Sequence, residues 1–154
     1  MDGGDNIDNY ASKLTIVTQG EWAGWSYYPG GDPFEDLAGP FYCRIDDQGR
    51  RVCAFRAEAR HMNGGGFMHG GCVMTFADFC LFWIAQDAIV GSHCVTATFN
   101  GEFVGTAHVG DIVECSGEIV KAGRSMIFVR GIISTAGEAM MSFSSVLKKT
   151  GPRP

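Results

Sequence analysis

The sequence predicts an α+β domain in which a curved sheet of long strands wraps a long apolar helix. Three observations carry this. Residues 70–89 are apolar with repeats at three- and four-residue spacing, the period of a helix. They have almost no polar face, which marks a buried helix. Runs of alternating apolar and polar residues, the period of strands, flank them on both sides. The last three strands, of roughly 10–12 residues at ~3.3 Å each, reach about 33–40 Å. The helix, of about twenty residues at ~1.5 Å each, reaches roughly 30 Å. Such strands are long enough to curl around it.

Residues 1–39 lack a clear period. "EWAGWSYYPGGDPFEDLAGP" is rich in Gly, Pro and aromatics and reads as an irregular arm. Trp22, Trp25, Tyr27 and Tyr28 are too many aromatics for a solvated tail and are expected to pack on the domain or on a partner subunit. A short helix is placed near Asp8–Thr18. The domain proper is residues 40–150. In "FYCRID" Phe41, Cys43 and Ile45 alternate with Tyr42, Arg44 and Asp46. After the turn "DDQGR", "VCAFRAEAR" puts Cys53, Phe55, Ala57 and Ala59 on one face. Two alternating runs around a Gly turn make a hairpin.

The helix from Gly70 to about Ile89 follows. It is not a membrane span: its uncharged run is shorter than the ~20 residues a bilayer needs, Asp78 interrupts it and Asp87 closes it. Four strands come next. In "CVTATFNGEF" Val95, Ala97, Phe99 and Phe103 alternate with Thr96, Thr98, Asn100 and Glu102. "DIVECSGEIVK" alternates likewise. "SMIFVRGIIST" is apolar on both faces, as a central strand should be. "EAMMSFSSVLKK" ends the domain.

At 154 residues the chain is about one domain long. Its net charge of −5 argues against a nucleic-acid or anionic-membrane surface, since both need clustered Lys and Arg. The acidic start "MDGGDNIDNY" does not resemble a secretory signal. With no C-x-x-C pair, the six Cys read as free buried thiols of a cytoplasmic protein.

The chemistry concentrates in "HMNGGGFMHGG", residues 61–71, directly before the helix. A helix that begins at Gly70 or Gly71 leaves its first N–H groups without intrahelical partners, and its dipole adds positive potential there. Glycine lets a ligand atom approach, so a developing oxyanion would be stabilised. The alternative is a tight entry turn and nothing more. Asp78 is the lone carboxylate of the apolar run. Burying it without a partner costs several kcal/mol, and no cation lies within one helical turn of it in sequence. It is either a structural Asp bonded elsewhere in the fold, or a general base or nucleophile. His69 is a helix cap, a ligand or an oxyanion donor. His61 and His69, eight apart with no Cys or carboxylate between them, have poor metal spacing. A P-loop would need Gly-Lys-Ser/Thr after the glycines, and no G-x-S-x-G elbow is present.

Asn63, His69-Gly70-Gly71 and Asp78 together resemble the active-site signature of hotdog-fold acyl-CoA thioesterases of the PaaI-like type. "VTATFNGEFVGTAHVGDIVECSGEIVKAGRSM" is similar to the strands that follow it in that family, with a Gly-Asp before one strand and a Gly-Arg turn, Gly123-Arg124, after it. The resemblance covers roughly residues 40–148. It implies a curved antiparallel sheet around a central helix, and dimers joined edge to edge that often pair into tetramers. It also implies hydrolysis of an acyl-CoA thioester without metal or cofactor. Position by position, Asp78 would be base or nucleophile, the Gly70 N–H would polarise the carbonyl, and Asn63 would orient water or the carbonyl. His69 would support that geometry. Gly71, Thr96 and Arg124 would meet substrate. The chain departs from the family in "NGEFVGTAHVGD", where relatives usually carry an apolar residue and a Pro. A second reading is a hotdog domain that binds acyl-CoA or another acyl ligand without turning it over.

Overall fold

The computed structural model describes residues 13–152. Eight strands form one antiparallel sheet: β1 (Thr15–Ile16), β2 (Ser26–Tyr27), β3 (Tyr42–Ile45), β4 (Arg51–Arg56), β5 (Ser92–Phe103), β6 (Ile112–Ala122), β7 (Met126–Thr135) and β8 (Glu138–Pro152). Their order across the sheet is β1-β2-β3-β4-β6-β7-β8-β5. Three α-helices lie wholly within the described residues: α1 (Pro33–Ala38), α2 (Gly70–Ile84) and α3 (Gln86–Ile89). The sheet lays β4, β6, β7 and β8 against α2.

The core is where the inward residues of the strands meet α2. Val73, Phe76, Ala77, Phe79, Cys80, Leu81, Trp83 and Ile84 of the helix are buried. Phe55, Val113, Cys115, Ile127, Val129, Ile133, Met141, Phe143 and Leu147 close on them from the sheet. Gly117 and Gly131 face each other in β6 and β7. A side chain at Gly117 would stand 2.8 Å from Ile84 Cδ1, and one at Gly131 would stand 2.5 Å from the Phe143 ring. These glycines let the sheet close on the helix end. All six cysteines are free, and Cys43, Cys53, Cys80 and Cys115 are buried. Among the described residues no helix is long and apolar enough to cross a membrane.

Four expectations change. The long helix ends at Ile84 rather than Ile89. Ala85, at φ −87° and ψ 3°, turns the chain into α3, whose Ile89 drops into the core. α2 is not buried all round, since Gly71, Met74, Thr75, Asp78 and Phe82 form a partly exposed stripe at three- and four-residue spacing. β7 buries one face only, and Phe128 and Ile132 stand on the outer face of the sheet, 40% and 51% exposed. The arm is not irregular. β1 pairs with β2, and β2 adds to β3 at the sheet edge. The helix placed near Asp8–Thr18 falls largely on residues 8–12, outside the described residues; Lys13 is helical, and the chain is already strand at Thr15–Ile16. Trp22 stacks on Tyr42 at 4.3 Å, and Arg44 lies over Trp25 at 4.3 Å. The arm aromatics therefore pack on the domain through β3.

Candidate active site

The glycine loop is built around Asn63. Its Oδ1 accepts from the Gly65 and Phe67 amides at 2.9 and 3.2 Å. Such a side-chain-to-backbone turn is characteristic of Asn. Gly66 sits at φ 83°, a left-handed conformation that glycine adopts without steric cost. Two histidines flank the loop. The buried His61 accepts from the Glu58 amide at Nδ1 (3.0 Å), so its Nε2 carries the proton and donates to the Ala38 carbonyl at 2.7 Å. His69 is the N-cap of α2. Its Nδ1 accepts from the Gly71 amide at 2.9 Å, and its carbonyl accepts from Cys72 and Val73.

This accounts for three of the first four helix amides. The fourth, the Gly70 N–H, donates to no described group. It is the one donor at the positive end of α2 left for a ligand. Phe103, at the far end of β5, lies against it: a Cβ at Gly70 would meet that ring at 3.3 Å. Sequence reading had placed Phe103 with the core face of its strand, but it is 54% exposed and flanks the helix start.

Asp78 lies eight residues along the helix, in the exposed stripe. Its Oδ1 accepts from Thr96 Oγ1 at 2.7 Å. The partner that the sequence placed elsewhere in the fold is this hydroxyl of β5. Thr96 faces the helix and not solvent, as the alternation had suggested. A register shift between Thr96 and Thr98 reverses the phase of the strand, so that Thr96 and Phe99 both turn inward while Val95 is 49% exposed. A bulge of this kind aims one side chain at the expense of regular pairing.

Sequence reading missed Glu35. Asp32 caps α1 by accepting from the Phe34 and Glu35 amides at 3.1 and 3.0 Å, with Pro33 in the first turn. The half-buried Glu35 and Asp78 line one cavity, together with Asp32, Phe34, Met74 and Thr75. Burial, then the carboxylates Asp32, Asp78 and Asp36, push the Glu35 carboxyl up to about 8. The signal for α1 lay in "DPFED", an Asp cap followed by Pro at the first helical position.

The structure thus brings Asn63, His69, Gly70 and Gly71 together at the start of α2, and Asp78 with Thr96 further along it. It does not bring Arg124 to either place. Arg124 lies exposed in the β6–β7 turn, beside Met126, which pairs with Lys148, itself opposite Val95 near the start of β5. The Gly70 end of α2 lies by Phe103, at the other end of that strand.

A long helix held against one face of an antiparallel sheet, with a capped glycine turn at its start, is the hotdog fold of thioesterases. The chain belongs to the thioesterase superfamily, whose model matches residues 65–141. It is 36% identical over 115 residues to the Pseudomonas aeruginosa protein named "Putative esterase PA0474", spanning 74% of this chain and 86% of that one. Among solved structures it is similar to the Escherichia coli PaaI protein of the phenylacetic acid degradation operon, with a TM-score of 0.69, 18% identity, and coverage of 80% of this chain and 88% of that one. It is also similar to a Streptococcus pneumoniae hypothetical thioesterase solved with coenzyme A, with a TM-score of 0.65, 20% identity, and coverage of 74% and 88%.

Proposed function

We propose that this chain hydrolyses acyl-CoA thioesters to a free acid and CoA. The observation that carries the reading is a pair of prepared groups on α2: the Gly70 amide without an acceptor among the described residues, and the Asp78 carboxylate oriented by Thr96. Coenzyme A in the Streptococcus pneumoniae thioesterase of the same fold supports the choice of thioester.

The thioester oxygen accepts from the Gly70 N–H, which stabilises the charge it gains on attack. As a base, Asp78 takes a proton from water while the water oxygen bonds to the carbonyl carbon. Collapse then breaks the C–S bond, and the departing sulfur recovers the proton from Asp78. As a nucleophile, the carboxylate itself bonds to the carbon and expels the thiolate, and water cleaves the mixed anhydride. Neither route calls for a metal or cofactor. The Asn63 oxygen is occupied by the loop, so its NH2 group is the end that meets water or carbonyl. His69 takes up the Gly71 amide and leaves Gly70 as the one presented. Gly71, where a Cβ would stand 3.0 Å from His69 Nδ1, leaves room for that cap and for substrate beside it. The chain acts as a homodimer or a tetramer, because β5 is an open sheet edge and such edges are covered in stable proteins. Arg124 meets substrate only where a neighbouring subunit brings the CoA tail to its turn.

Thiol release from a panel of acyl-CoA thioesters tests this. Asp78→Asn keeps an oxygen to accept from Thr96, so melting and acyl-CoA binding stay near wild type while kcat falls at least ~100-fold. Wild-type protein that binds acyl-CoA and releases no thiol from any member sinks the hydrolase reading in favour of a non-catalytic acyl-ligand domain. Near-normal turnover by Asp78→Asn removes Asp78 from the chemistry.

A further inference from the structure

The cavity beside Asp78 has a volume of about 320 Å³ and lies between α1 and α2. Three of its six lining residues, Asp32, Glu35 and Asp78, carry carboxyls, and no cation lines it. A second cavity of about 280 Å³ adjoins it on the arm side, walled mostly by apolar and aromatic groups of Tyr27, Tyr28, Pro29, Phe41 and Phe79, with Asp36 also lining it. Glu35 is the one residue that lines both. An acyl chain that starts at Asp78 and runs toward the apolar space under the arm therefore passes Glu35.

On the strength of the thioesterase reading, we propose that Glu35 sets acyl selectivity: it turns away acyl groups that end in a carboxylate, and does so more strongly once it is itself ionised. A substrate carboxylate would enter a space that already holds Asp32 and Asp78 and offers no counter-charge, so the repulsion is not offset. A neutral acyl chain meets no such term. Glu35 is the adjustable member of the set. Asp32 and Asp36 face it from its own helix and Asp78 faces it from α2, all acting to keep its proton on. The thiols of Cys43 and Cys53, on β3 and β4, are its other titratable neighbours; burial raises both, so neither supplies charge. The phenols of Tyr27 and Tyr28 line its far side. With its carboxyl pushed up to about 8, Glu35 is mostly neutral at pH 7 and mostly charged at pH 9. The sign follows: rejection of anionic acyl groups strengthens as pH rises.

Two non-hydrolysable thioethers test this, S-pentyl-CoA and S-(4-carboxybutyl)-CoA. Calorimetry gives their affinities at pH 7 and pH 9 for wild type and Glu35→Gln, with Glu35→Ala as a second variant should the first melt early. Both ligands carry the same CoA, so its own titration cancels in their ratio. The expected wild-type result is tighter binding of the pentyl ligand at pH 7, and a ratio wider by about tenfold at pH 9, the order of effect of one added charge within a few ångströms. Removing the Glu35 carboxyl holds the pH 9 ratio at its pH 7 value. Equal affinities in wild type, or the same widening without Glu35, overturn the selectivity assignment and leave hydrolysis standing. Binding of neither ligand overturns the selectivity assignment. Thiol release from pentanoyl-CoA, measured alongside, judges hydrolysis by itself.

Discussion

Asp78 lies eight residues beyond Gly70 on α2, and at ~1.5 Å per residue this separates them by roughly 12 Å along the helix axis. A base must come within about 3 Å of the water it activates, or reach it through one more water. The two groups of one chain therefore fall short of a common reacting carbon. An antiparallel copy of α2 across a two-fold axis closes the gap, because such an axis sets residue i against j and j against i. The open edge of β5, which carries Thr96 at one end and Phe103 by Gly70 at the other, is where that axis would lie. The prediction is that each site takes Gly70 and Asn63 from one subunit and Asp78 from the other. Asp78→Asn and Asn63→Ala, each inactive alone, are mixed in equal amounts, unfolded and refolded together. Random assembly makes about half the dimers mixed, and each mixed dimer has one intact site and one doubly broken site. Thiol release should return to roughly a quarter of the wild-type rate per chain. Native mass spectrometry that finds mixed dimers, with activity still at the level of the single variants, refutes the shared site.

Three further predictions concern single residues. Gly70→Ala places a methyl 3.3 Å from the exposed Phe103 ring, which has room to move, and Ala favours a helix over Gly by up to ~1 kcal/mol. Ala keeps the backbone N–H, so its melting temperature should hold or rise, while the methyl crowds the approach of the carbonyl oxygen and kcat falls by the order of 100-fold, the effect of a misplacement of ~1 Å; normal kcat shows that no reacting atom comes close to Gly70. Thr96→Val keeps the strand and deletes the hydroxyl bonded to Asp78. A hydrogen bond to a charged group contributes ~1.5–3 kcal/mol when fully buried, so at this half-buried place kcat should drop about tenfold with KM little changed, and a change in KM alone would assign Thr96 to binding. Glu35 is raised on folding from 4.5 to about 8. Its stabilising effect is therefore complete below pH 4.5 and lost as pH rises through 8. The melting temperature of wild type should decline over that range more steeply than that of Glu35→Gln, and parallel curves would show that Glu35 titrates normally.

Much of the fold was legible because a two-residue and a 3.6-residue period do not imitate each other. The run of residues 72–86, uncharged apart from Asp78, could hardly be anything but a core helix, and the long strands after it had to curl to cover it. Asn63, His69, Gly70 and Asp78 were legible as a resemblance, since their chemistry is local to one loop and one helix. Three things were not. The phase of β5 depends on a bulge at residues 97–98, which alternation alone does not reveal, so Thr96 was read as pointing away from the helix. The exposed stripe of α2 is uncharged apart from Asp78, and hydropathy does not distinguish an apolar residue in the core from one at an open face. Glu35 is distant in sequence from the helix it faces. Only the packing of α1 brings its carboxyl to the cavity it shares with Asp78, and the arm was read by composition when its Asp-Pro start already announced a helix.

The mooring of α1 has a consequence for how such a protein diversifies. The last turn of α1 is tied down by three bonds from two neighbouring residues: His61 donates to the Ala38 carbonyl, and Arg60 donates to the carbonyls of Leu37 and Gly39. All of the accepting groups are main-chain oxygens, which every amino acid supplies. The receptor for this last turn is thus indifferent to the side chains the turn carries. Phe34 and Glu35 can change, altering what lines the space beyond Asp78, while Asp32 and Pro33 keep the start of α1 and the loop that presents Asn63 and Gly70 keeps the same anchor. A lineage could exchange one acyl preference for another through this stretch alone, with the chemistry inherited intact.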